Sequence, residues 1–130
     1  MAYARNPHLT PPVKALSSDS FDADPAILVE QDKPGSPLVA ILSVRFLLPI
    51  PFSGTFTLGN IEVGPLDYLE RAVDEVCSLC SYDRMKLAQS SMDQVDDSAT
   101  FSEVALYGTH IFAKLVDEAR NRNLPLILDY

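Results

Sequence analysis

The 130-residue chain is poor in most of what would announce a chemistry. It has two cysteines, Cys77 and Cys80, too few for a disulfide scaffold. It has two histidines, His8 and His110, and neither has a neighbour at metal-ligand spacing. Its five glycines are scattered, so there is no glycine-rich phosphate loop, and no GxSxG nucleophile element occurs. Its ten Lys and Arg residues never form a cluster. A surface that tracks phosphates needs clustered cations to release counterions, so direct nucleic-acid binding is not expected. No apolar run reaches the roughly 20 residues of a membrane helix. The longest, Leu38 to Phe52, is interrupted by Arg45, Pro49 and Pro51. The opening MAYARNPHLTPP lacks the apolar segment of a signal peptide. These absences lead to the expectation of a non-membrane protein in a reducing cytoplasm, which includes a host cytoplasm or a virion.

What the chain does hold is apolar mass and negative charge. A hydrophobic content of 47% is enough to build a packed core, and the length suits one domain. The net charge of -8 suits solubility, a basic protein partner, or mimicry of nucleic acid.

Residues 1–25 read as an extended N-terminal arm. Pro7, Pro11, Pro12 and Pro25 disfavour regular structure. Tyr3, Leu9, Val13, Leu16 and Phe21 are spaced along it as apolar contacts, for its own domain or a neighbouring subunit. Residues 26–130 read as one domain. Ala26 to Gln31 has the composition of a short strand. Lys33-Pro34-Gly35-Ser36 carries the type II turn signature, with Pro second and Gly third. The pair would form a hairpin with Leu38–Phe52, read as the central strand. Alternation places Leu38, Ala40, Leu42, Val44, Phe46 and Leu48 on one apolar face, and β-branched Val39, Ile41 and Val44 favour strand over helix. Gly59-Asn60 sits between TFTL and IEV as a two-residue hairpin loop. It pairs Leu58 with Ile61, Thr57 with Glu62, and Phe56 with Val63, which keeps the apolar pairs on one face.

The second half is helical. From Gly64-Pro65 onward, Leu66, Leu69, Ala72, Val73, Val76, Cys77, Leu79 and Cys80 recur on one side of a helix. It should end near Ser81, with a further turn or two before Met92. Asp93–Ala99 is a polar loop. Thr100-Phe101-Ser102-Glu103 is a capping box that opens a second helix. Gly108 interrupts its apolar face, which predicts close approach of a neighbouring backbone there, and His110 falls on the polar face. Asn121 or Asn123 suits a left-handed cap. Leu124–Tyr130 reads as an edge strand begun at Pro125.

The fold expected is an α+β two-layer sandwich, an antiparallel β-sheet of four to five strands with two α-helices packed on one face. The function expected is a non-enzymatic interaction or assembly module, working through its arm and edge strand. Its contacts to a protein partner or a second copy would be Tyr3, Leu9, Val13, Leu16, Phe21, Leu126, Leu128 and Tyr130. A viral structural or assembly protein fits that description. No catalytic residue, metal or cofactor is assigned. Two alternatives stand beside this. An acidic inhibitor covering the nucleic-acid-binding surface of an enzyme would need Asp67, Asp74, Glu75, Asp93, Asp96 and Asp97 on one continuous surface. A small thiol-dependent enzyme would use Cys77 and Cys80, although that pair falls late in a helix, where the dipole does not favour a thiolate. The acidic groups Asp19, Asp22, Asp24 and Asp93, Asp96, Asp97 lack the spacing of a calcium loop.

Overall fold

A computed structural model describes residues 1–14 and 18–129, without the side chains of residues 18, 19, 39 and 40. Four strands, β1 (Phe46–Leu48), β2 (Phe56–Leu58), β3 (Ile61–Pro65) and β4 (Leu126–Ile127), form one sheet in the order β2-β3-β1-β4. Around it lie α1 (Ala2–Arg5), α2 (Ser18–Phe21), α3 (Pro25–Gln31), α4 (Pro37–Ser43), α5 (Asp67–Leu79), α6 (Arg84–Gln89) and α7 (Phe101–Arg122). The fold is α+β, as expected, and the β2–β3 hairpin has the expected register in all three pairs, with Gly59 at φ +65.

The sheet is mixed rather than antiparallel. β1 runs parallel to β3 because β2 takes the outer position and β3 folds back between them, while β4 is antiparallel to β1. Two strand expectations are corrected. Residues 25–31 are helical: Asp24 caps them by accepting from the amides of Ala26 (2.9 Å) and Ile27 (3.3 Å), and Pro25 sits at the first position. The Leu38–Phe52 stretch is divided. Its first part is α4, and only Phe46–Leu48 is strand, ended by Pro49. Every position of 38–42 is apolar, so a helical face at Leu38, Ile41 and Leu42 was invisible to periodicity. The turn at 33–36 does form, with Ser36 N donating to Lys33 O (3.2 Å) and Gly35 at φ +72, but it joins two helices.

Helices α5 and α7 cover one face of the sheet. Leu47 of β1 and Leu128, just after β4, meet Leu69, Ala72 and Val73 of α5, Ala113 and Val116 of α7, and Val44. Leu47, Leu66 and Leu69 are fully buried, and each such side chain contributes about 1.5–3 kcal/mol. Helix α5 starts two residues after Pro65, which closes β3. It buries Leu69, Ala72, Val73, Val76 and Cys77 as expected, but Leu79 is half-exposed. The chain turns at Ser81 (φ 56) into α6. The capping box of α7 and its left-handed cap at Asn123 both form.

Two expectations about α7 fail. His110 is buried, because α6 lies over that side of α7. The His110 Nδ1 atom stands 2.7 Å from the carbonyl of Leu87 and 3.3 Å from Ser90 Oγ. Gly108 meets no close backbone: a Cβ there would have nothing within 4 Å. The close approach occurs instead at Gly64, where a Cβ would lie 3.1 Å from Val44 Cγ1.

The N-terminal residues do not form an extended arm. Ala2 is buried with Ala26 and Ile27, and Tyr3, Leu9 and Phe21 pack around them. Asn6, also buried, gives its amide to Ala2 O and Glu30 Oε1, both at 2.8 Å. A segment rich in proline is thus folded onto α3 by a small apolar cluster and a buried polar one.

Candidate interaction surface

The side chains predicted to touch a partner do not share a surface. Tyr3 donates to Asp24 Oδ2 (2.6 Å) and packs edge-on against Phe101 (5.4 Å between centroids). The hydrogen bond to Asp24, and then burial, push its phenol up to about 12. Leu9 and Phe21 belong to the small N-terminal cluster. Leu128 is in the main core and Leu126 packs against it. Val13 alone of the described members stands in solvent, 86% exposed. Leu16 and Tyr130 lie outside the described residues.

Much of the acidic charge is neutralised within the fold. Arg120 of α7 reaches Asp67 and Glu70 Oε2 (2.7 Å) at the start of α5, and also donates to the carbonyl of Pro49 (3.2 Å). Arg84 holds Asp74 (2.7 Å) and Asp117 (2.9 Å), which ties α6 to α5 and α7. Arg5 joins Glu75 to Glu30, the latter as an ion pair at 2.8 Å. Three of the six carboxylates required for a mimic of nucleic acid, Asp67, Asp74 and Glu75, are therefore paired with arginines of their own chain. Glu30 is fully buried. Burial opposes its ionisation, but Lys33 Nζ (2.8 Å), Ser36 Oγ (2.7 Å), the Asn6 amide and the Arg5 charge outweigh that and hold its carboxyl down at about 2.

The thiols are unpaired. Burial pushes the Cys77 thiol up, away from a reactive thiolate. Cys80 is the C-terminal cap of α5. Among the described residues no group of three His, Cys, Asp or Glu side chains could hold a metal ion, and no helix is long and apolar enough to cross a membrane. Among the described residues, hollows flank α5. One, of about 500 Å³, has a mixed lining that includes Glu62, Thr55 and Arg71, the last stacked over Tyr68 (5.6 Å). Another, of about 280 Å³, is an apolar groove with Leu38, Leu42, Ala105, Gly108 and Phe112 in its walls.

The least satisfied surface is the sheet face turned away from the helices. Side chains alternate, and Leu47 and Leu126 point into the core. The paired residues Phe46 and Ile127, Phe46 and Val63, Phe56 and Val63, Leu58 and Ile61 therefore share the opposite face. Phe56 is 48% exposed, Leu58 69%, Ile61 42% and Ile127 64%. Phe52 leans on Phe56 (5.7 Å) at its margin. From Phe46 through Ile61 the chain has 16 consecutive residues without a charge, its longest such interval, in a sequence that is 22% charged. That interval was legible beforehand and is the signal the arm-based reading passed over.

Comparison of the chain with protein-family models, with curated proteins and with solved structures gives no match.

Proposed function

We propose that the protein is a non-enzymatic interaction or assembly module whose contact surface is the outer sheet face around the β2–β3 hairpin. The observation that supports this is the coincidence of exposed Phe56, Leu58 and Ile61 with the uncharged interval Phe46–Ile61, with exposed Ile127 on the same sheet face beside Phe46. A contiguous exposed apolar patch on a charged molecule is characteristic of a surface covered by a partner. The support moves away from Tyr3, Leu9 and Phe21 of the N-terminal segment and from Leu126 and Leu128 near the C-terminus, which pack inside the fold. Two free thiols suit a reducing compartment. A photo-reactive phenylalanine analogue at position 58 should give adducts of one defined mass in extract of the native cells. The same group at position 114, exposed on α7, should give none. Adducts at both positions alike, or at neither, would reject this function.

A further inference from the structure

We infer that the partner on this surface is a second copy of the chain, joined through a two-fold antiparallel pairing of β2 with β2. This rests on the sheet-face reading above and specifies its occupant.

β2 is an edge strand: β3 lies on one side of it, and among the described residues no strand pairs with the other. Natural edges are blunted by Lys, Pro, bulges or a covering loop. Phe56-Thr57-Leu58 has no charge and no proline, and its neighbours are Thr55 and Gly59.

The hydrogen-bonding phase of the hairpin shows which groups are open. Glu62 O accepts from Arg45 N (3.2 Å), so the backbone of Glu62 is directed toward the β1 side. Thr57 is the cross-strand partner of Glu62. In an antiparallel ladder a residue opposite one that bonds outward also bonds outward. The N–H and C=O of Thr57 thus point to the free edge, while those of Phe56 and Leu58 are used toward β3.

A two-fold axis beside Thr57 satisfies both of its groups at once, each Thr57 N–H meeting the other's C=O. The same axis sets Phe56 beside Leu58 of the second copy, and Leu58 beside its Phe56. Two rows result, Ile61–Leu58–Phe56–Val63 and its mirror in sequence, all apolar and on one sheet face, with Ile61, Leu58 and Phe56 exposed and Val63 buried at the end of each row. Charge selects the same site. Each copy carries -8, so most approaches of two copies are repelled. The uncharged interval is where two copies can meet without opposing carboxylates.

Sedimentation equilibrium of the full chain should give about twice the 14.3 kDa chain mass. Thr57→Pro removes the outward N–H, which the hairpin does not use, and should give a monomer with an unchanged circular dichroism spectrum. Leu58→Glu, at a side chain already in solvent, should do the same if the proline variant fails to fold. Thr57→Val keeps the N–H and should remain dimeric. Thr57→Cys should cross-link to its own counterpart on air oxidation, within the Cα separation a disulfide allows, whereas Asn60→Cys should not. A monomer at every concentration, or a dimer that survives both Thr57→Pro and Leu58→Glu, would overturn the pairing. If the chain is monomeric and the position-58 probe still captures one defined protein of a different mass, the self-pairing falls and the interaction function stands.

Discussion

Glu30 shows how far a single side chain can organise its surroundings. A buried carboxylate is costly unless it is hydrogen-bonded and paired, and here Lys33, Ser36 and Asn6 donate hydrogen bonds to it while Arg5 adds an opposite charge. Its folded pKa of about 2 lies below its ordinary 4.5. The stabilisation is therefore complete above about pH 4.5 and is lost as the pH falls toward 2. The shift corresponds to about 3 kcal/mol. Glu30→Gln should lower the urea-unfolding free energy by about that much at pH 7, and by less than half as much near pH 2. Equal losses at the two pH values would show that the charge is not what the network uses. None of this could be read from the sequence, in which Glu30 is one acid among many and its partners lie 3 to 25 positions away.

At the scale of elements, short-range signals were legible wherever they were punctuated. The Gly59-Asn60 loop determined the β2–β3 register, and Thr100 with Glu103 determined where α7 begins. The signals failed where the pattern was uniform. In 38–43 every face of a helix or strand is apolar or nearly so, and β-branched residues tilted the reading to strand. Pro37 at the helix start, and the packing of Ile41 into the core, decided otherwise. At Asp24-Pro25 the start signal was present in the sequence, a capping carboxylate followed by a first-turn proline, but the apolar composition of AILV masked it. Gly108 was expected to admit a backbone and instead borders an apolar groove. Gly108→Ala should therefore raise stability, by about 0.5–1 kcal/mol, seen as a higher Tm in calorimetry. A fall in Tm would mean that the groove is filled by something that needs the glycine.

For the whole molecule, the consequence is that the N-terminal segment belongs to the fold. Deleting residues 2–24 removes the Asp24 cap, the Tyr3–Phe101 contact, and Asn6 and Arg5 from around Glu30, leaving a buried carboxylate under-compensated. The expected loss is on the order of 4 kcal/mol, read as a large fall in Tm or loss of a cooperative transition. A truncated chain that melts within a few degrees of the full one would restore the segment to the role of an arm. Among the helices, Arg84 and Arg120 each join elements far apart in sequence, through partly exposed ion pairs.

The sequence by itself determined the α+β class, the hairpin and its register, and the two main amphipathic helices, because each is set by contacts within a few residues. Turn chemistry, caps and a 3.6-residue period act locally and leave a local trace. Only the tertiary structure decided that β1 runs parallel to β3, that α4 replaces half a strand, that His110 is buried, and that Tyr3, Leu9, Phe21, Leu126 and Leu128 pack inward. Those outcomes depend on which surfaces of distant elements find each other. The apolar residues of the N-terminal segment and of the hairpin look alike as sequence. One set met α3 and the core, and the other was left facing water.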